Sequence, residues 1–197
     1  MAQFQKQLGR EYVAQPRGEG APEAIWLFRN RERAWTVSLT SGSLGLEAET
    51  YHDFDDFAGE LTRLLGDVAT VFEPQTEVRL GVRYINRIED ERLGKRGIDF
   101  FMRKDLASPV GSELGSDLQY SLCELRFREQ GGWLAIRHGL IEPNVYLLDF
   151  DSFVEEERDF LPAEIVQRVN DFHALIERLF VWSLSDRYLK ELKGGAK

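Results

Sequence analysis

The chain has 197 residues, 43% of them hydrophobic and 30% charged, and it sets 25 Lys and Arg against 34 Asp and Glu for a net charge of -9. That length and apolar content fit one ordinary domain with a sizeable core and exclude a disordered chain. The single cysteine, Cys123, excludes a disulfide framework and a multi-cysteine zinc site, and no apolar run reaches membrane-spanning length. The acidic balance weighs against a general nucleic-acid binder, and an N-terminus without an apolar stretch of signal-peptide length predicts a cytoplasmic protein with no membrane partner.

Met1 to Glu23 carries Pro16, Gly18, Gly20 and Pro22 and no clean period, so a short helix or arm plus a loop is expected there. Residues 24–192 are expected to form a single domain, with residues 193–197 as a frayed tail. Short strands are predicted at Ile25 to Arg29, Ala34 to Thr40 and Leu44 to Tyr51, the last from alternation of Leu44, Leu46 and Ala48 with Gly45, Glu47 and Glu49. Asp53 is placed to cap a helix whose stripe is Phe54, Phe57, Leu61, Leu64, Leu65 and Val68. Glu77 to Ile88 is the clearest strand. Val78, Leu80, Val82, Tyr84, Asn86 and Ile88 share one face, and Arg79, Gly81, Arg83, Ile85 and Arg87 the other. A short strand is expected at Ile98 to Met102. Three more follow at Leu118 to Arg128, Trp133 to Ile141 and Val145 to Phe150, joined by turns too short for parallel crossovers. Pro162 then opens a helix carrying Ile165, Val169, Phe172, Ile176 and Leu179, read as one element of about 45 Å running to Leu192.

The order βββα, a bridging strand, then βββα predicts an α+β protein, an antiparallel curved sheet with two helices on one face. The segment Tyr51 to Phe57 parallels Tyr146 to Phe153, and Trp35 follows a polar turn as Trp133 does, which raises an internal duplication as one reading and chance as the other.

Two stretches carry a resemblance. They are Arg79-Leu80-Gly81-Val82-Arg83-Tyr84-Ile85-Asn86-Arg87-Ile88, and Tyr146-Leu147-Leu148-Asp149-Phe150-Asp151 followed by a helix with Phe172-His173 and Leu179-Phe180. Over Ala24 to Leu192 the chain resembles a sporadically distributed family of uncharacterised bacterial proteins, with the GxRYxNRI-like strand as its most specific element. The resemblance implies mobile or defence-associated genes, and it carries no catalytic residues across.

Four constellations could bear function. Arg79, Arg83 and Arg87 line about 27 Å of one strand face, suited to bidentate capture of phosphate or carboxylate, with Arg137 and His138 on a neighbouring strand as further ligand-binding candidates. The opposing reading pairs these arginines with Glu47, Glu49 or Glu124 across the sheet. Asp149 and Asp151 are read as ending a strand, where they serve either as helix-capping acids or, as a weaker alternative, as a Mg²⁺ site. His52, His138, His173 and Cys123 are scattered, and neither a phosphate loop nor a nucleophile elbow is present. Phe172, Ile176, Leu179, Phe180 and Trp182 offer a helix face to a partner or a second copy, unless the sheet covers it. No cofactor is expected.

The charges are segregated. Glu47 to Glu77 holds nine acids against one base, Glu142 to Asp159 seven against one, and Arg79 to Lys104 eight bases against four acids. The expected function is a non-enzymatic interaction or regulatory protein that self-associates. The alternative is a binder or enzyme acting on a phosphorylated ligand, or on nucleic acid through Arg79 to Lys104.

Overall fold

The computed structural model describes residues 12–17, 25–30, 32, 34–93, 97–107, 118–129 and 131–194. Among these residues the protein is α+β, with open sheets whose strands all pair antiparallel, and with helical segments closing the described chain. It divides into two compact units. One comprises the described residues up to Glu77 with Arg158–Arg168, the other Val78–Glu157 with the described residues from Val169.

The first unit is a meander, β1 (Tyr12–Arg17), β2 (Ile25–Asn30), β3 (Trp35–Leu39) and β4 (Leu44–Ala48), with the sheet in chain order, followed by helix α1 (Phe54–Phe72). β1 corrects the expectation of a helix or arm before residue 24: Tyr12 to Arg17 pairs along β2 from Asn30 back to Ile25. Pro16 is tolerated because β1 is an edge strand, where a missing N–H need break no ladder. The rest of the predicted arm lies outside the described residues. β3 alternates strictly, with Trp35, Val37 and Leu39 buried, and with Phe28 it meets Leu64 and Val68 of α1 in one cluster. Asp53 caps α1 as its position predicts, its Oδ1 accepting from the Asp56 N–H at 2.8 Å. The helix stops at Glu73 in the left-handed conformation, just before Pro74. A two-stranded ladder, β5 (Thr76–Glu77) with β10 (Arg158–Asp159), completes the unit.

The second unit holds β6 (Leu80–Glu89), single helical turns α2 (Ile98–Phe101) and α3 (Lys104–Ala107), then β7 (Cys123–Glu129), β8 (Gly132–Glu142) and β9 (Val145–Val154). The sheet order is β6-β9-β8-β7, so the first strand returns to lie beside the last. Helix α4 (Pro162–Ser183) begins among first-unit residues and continues in the second, and α5 (Asp186–Gly194) follows. Even-numbered residues of β8 and β9 face inward. Leu134, Ile136, Leu140, Tyr146, Leu148 and Phe150 are all buried there.

Three expectations change. Ile98 to Met102 is a helical turn with Met102 in an isolated bridge to Leu184, not a strand. That bridge also divides the predicted long C-terminal helix. Arg103 N–H bonds the Ser183 carbonyl at 2.9 Å and Ser185 N–H the Phe101 carbonyl at 2.9 Å, so Leu184 runs as extended chain. Ser185 then caps α5, its Oγ accepting from the Tyr188 N–H at 3.1 Å. Third, the two Asp-Phe-Asp segments do not occupy equivalent places. Asp53 to Asp55 starts a helix, whereas Asp149 to Asp151 lies inside β9, which runs on to Val154. A three-strand meander occurs in both units, β2-β3-β4 and β7-β8-β9, but only the first is followed directly by a helix, and the fourth strand joins beside the first meander strand (β1 on β2) in one and beside the last (β6 on β9) in the other.

Candidate functional site

β6 forms where Val82, Tyr84, Ile85 and Ile88 favour a pleated strand. From Leu80 to Ile88 the alternation is as predicted, with Val82 and Ile88 buried and Gly81, Arg83, Ile85 and Arg87 exposed on the other face, but the strand expected from Glu77 breaks at Val78 and Arg79, so Arg79 lies outside β6 and Val78 is exposed. The register sets Arg83 opposite Asp151 and Ile85 opposite Asp149 on β9. Beyond them, Arg137 of β8 lies opposite Asp149, and Glu124 of β7 opposite Arg137. One face of the sheet thus carries acids and bases from all four strands.

These side chains form a chain of ion pairs. Arg83 reaches diagonally to Asp149 with both arms of its fork, Nε to Oδ1 at 2.9 Å and a terminal nitrogen to Oδ2 at 2.7 Å. Arg137 donates to the same Oδ2 at 3.3 Å and to Glu124 at 3.3 Å, and Arg126 closes the row on Glu124 at 2.7 Å. Asp149 is only 1% exposed, roofed by guanidinium groups in place of hydrocarbon. Its hydrogen bonds hold the Arg83 guanidinium above its ordinary range. The hydrogen bond from Arg126, joined by the pull of Arg137, keeps the Glu124 carboxyl below the usual range.

The remaining arginines of the basic segment also have partners. Arg79 lies 3.5 Å from Glu155, its guanidinium over the Phe153 ring. Arg87 bonds Glu142 at 3.1 Å and Glu89 at 3.3 Å. Arg92 sits between Asp90 and Glu191, each at 2.6 Å. Arg103 donates to the Trp182 carbonyl at 2.8 Å and covers its ring. Lys95 and Arg96 lie outside the described residues. The carboxylates expected to pair with Arg79, Arg83 and Arg87 do not: Glu124 pairs with Arg137 and Arg126, and Glu47, with Glu49 just after it, belongs to the β1-β2-β3-β4 sheet, so the partners are Glu155, Asp149, Glu89 and Glu142 instead.

The other candidates separate. His138 lies on the opposite, buried face, its Nδ1 2.8 Å from the Tyr146 hydroxyl, and burial holds its imidazole below the ordinary range. Burial also raises the Tyr146 phenol, which stays protonated. His173 meets the Tyr84 hydroxyl at 2.9 Å, tying α4 to β6. His52 shares a recess of about 170 Å³ with Trp35 and Asp56. Asp149 and Asp151 share a face, but Asp149 spends its oxygens on two arginines, and no group of three His, Cys, Asp or Glu among the described residues is placed to hold a metal. On α4, Ile176 is buried and Phe172, Leu179 and Phe180 are half-buried, while Trp182 is exposed. Phe180 also lines an open groove of about 500 Å³ with Asn86, Arg87, Tyr188 and Leu192. Among the described residues no helix is long and apolar enough to cross a membrane.

One feature escaped the sequence reading. Among the described residues β7 ends its sheet, and along it and the residues before it Tyr120, Leu122 and Phe127 are 60%, 49% and 44% exposed. Cys123, expected to be a buried small hydrophobe, is exposed. The signal lay in the sequence as a strand alternating apolar and charged residues, which reads the same whether or not anything covers its apolar side.

Fold and site together define an α+β protein with a charge-laced open sheet. Comparison with protein-family models, with curated proteins and with solved structures finds no match to the chain.

Proposed function

We propose that the protein is a non-enzymatic interaction or regulatory module that self-associates, of the sporadically distributed bacterial kind that its strand motif resembles, working among mobile or defence-associated genes. The observation that carries this reading is the β7 edge, unpaired among the described residues and flanked by exposed Tyr120, Leu122 and Phe127, because a free strand edge presents a row of N–H and C=O groups on which another chain can pair. The paired arginines weigh against the anion-binding alternative. A phosphate entering at Arg83 would have to displace a bidentate, almost fully buried carboxylate from the fork that would hold it.

Light scattering on the full chain at tens of micromolar is expected to give twice the monomer mass, and a strict monomer overturns self-association. On heparin at low salt the protein is expected to pass through. Salt-dependent retention would restore the nucleic-acid reading.

A further inference from the structure

We infer that two copies of this chain join through β7, antiparallel about a two-fold axis at Leu125, so that two four-stranded sheets become one of eight strands. This rests on the self-association proposed above and names its surface.

Backbone polarity limits the choices first. Ser121 N–H bonds the Leu140 carbonyl at 2.8 Å, and the β7–β8 register keeps Ser121 and Leu140 in line with Cys123 and His138. In an antiparallel ladder, alternate residues turn both backbone groups to the same side. Ser121, Cys123, Leu125, Phe127 and Glu129 therefore bond inward to β8. Leu122, Glu124, Arg126 and Arg128 turn their N–H and C=O groups to the open edge. A second β7 can bond only by setting these even-numbered residues against its own.

Charge then selects among the registers that remain. An axis at Arg126 sets Glu124 against Arg128 twice but forces the two Arg126 side chains face to face between those pairs, and one at Glu124 opposes the two glutamates with no opposite-charge pair beside them. An axis at Phe127 opposes Arg126 to Arg128. Like charges directly opposite are destabilising. An axis at Cys123 opposes both Glu124 and Arg126 to uncharged residues, Leu122 and Tyr120. Only the axis at Leu125 sets Glu124 of each copy against Arg126 of the other, twice over, with Leu122 opposite Arg128. On the other face the same axis brings Leu125 against Leu125 and Cys123 against Phe127, covering the phenyl ring that is 44% exposed in one copy. Neither proline nor a bulge interrupts the edge: Cys123 to Glu129 contains no Pro and pairs in unbroken register with β8, and its charges, which would repel in other registers, are the groups that pair across the Leu125 axis.

Three changes at exposed or half-buried positions test the surface. Arg126→Glu and Glu124→Arg should each weaken the dimer, read by sedimentation equilibrium, by about tenfold or more, since each turns two attractive cross-strand pairs repulsive. Mixed together, the two variants should recover a 1:1 heterodimer, because one then offers two glutamates and the other two arginines. Leu125→Cys in a Cys123→Ser background should form an intermolecular disulfide under mild oxidation, the two β-carbons lying within reach across the axis. Thermal melts confirm that each variant folds. A dimer that keeps its affinity in Arg126→Glu and does not cross-link in the Leu125→Cys variant overturns this surface and leaves self-association standing. A wild-type monomer overturns both.

Discussion

The inner face of the β6-β9-β8-β7 sheet carries Ile136, Tyr146, Leu148 and Phe150 on its two central strands, and its outer face carries Arg83, Glu124, Arg137 and Asp149, one from each strand. Phe150 and Asp149 are neighbours and are equally hidden, at 0% and 1% exposure. Phe150 is hidden by hydrocarbon, which gains from losing water. Asp149 is hidden by two guanidinium groups, and the cost of drying its charge is offset by their hydrogen bonds. The two faces therefore fail differently. One loses packing. The other loses neutrality.

The largest expected effect is on the inner face. Phe150→Ala should cost about 3–5 kcal/mol in urea unfolding, the range for emptying a buried aromatic site. A loss below about 1 kcal/mol would show that the inner face is not a packed core. On the outer face, Asp149→Ala should cost about 1–3 kcal/mol, less than a fully buried ion pair because Arg83 is half exposed and water screens what remains. Asp149→Asn should cost less than Asp149→Ala, since it keeps the shape and one acceptor. A double-mutant cycle with Arg83→Ala should give non-zero coupling, and strict additivity would refute the fork.

His138 gives the inner face a pH dependence. Burial lowers its pKa from an ordinary value of 6.5, so the folded protein binds fewer protons there than the unfolded chain. Stability from this residue is intact above 6.5 and is lost as pH falls from 6.5 toward the depressed folded value. Melting temperatures at about pH 7.5 and about pH 5.5 should differ less in His138→Gln than in the wild type; an equal difference would place the acid sensitivity elsewhere. The smallest effect is at the outer rim. Among the described residues Arg87 pairs with the exposed Glu89 and Glu142, so Arg87→Ala should leave the melting temperature nearly unchanged.

Much of this contrast was legible in the chain. Alternation along the expected strand Glu77 to Ile88 assigned the residues from Leu80 onward to their faces, and the spacing from Phe54 to Val68 assigned the α1 stripe, because local periodicity directly encodes which side of an element meets the core. The arginine row was visible, but its meaning was not. Arg83 and Asp149 are 66 residues apart, and no spacing rule predicts a diagonal contact across a sheet whose strand order is itself non-sequential. The C-terminal break at Leu184 was hidden for the same reason. Its cause is a backbone bridge to Met102, while the local sequence continues a helical stripe.

By itself, then, the sequence determined the α+β class, most of the elements and the two-faced pattern of β6, since these follow from short-range sterics and hydrophobic period. The tertiary structure decided that β6 lies beside β9, that Asp149 bonds two arginines, and that among the described residues β7 is left at the edge. Each of these depends on which distant segments close onto each other, a balance of loop entropy and burial summed over the chain and carried by no local pattern.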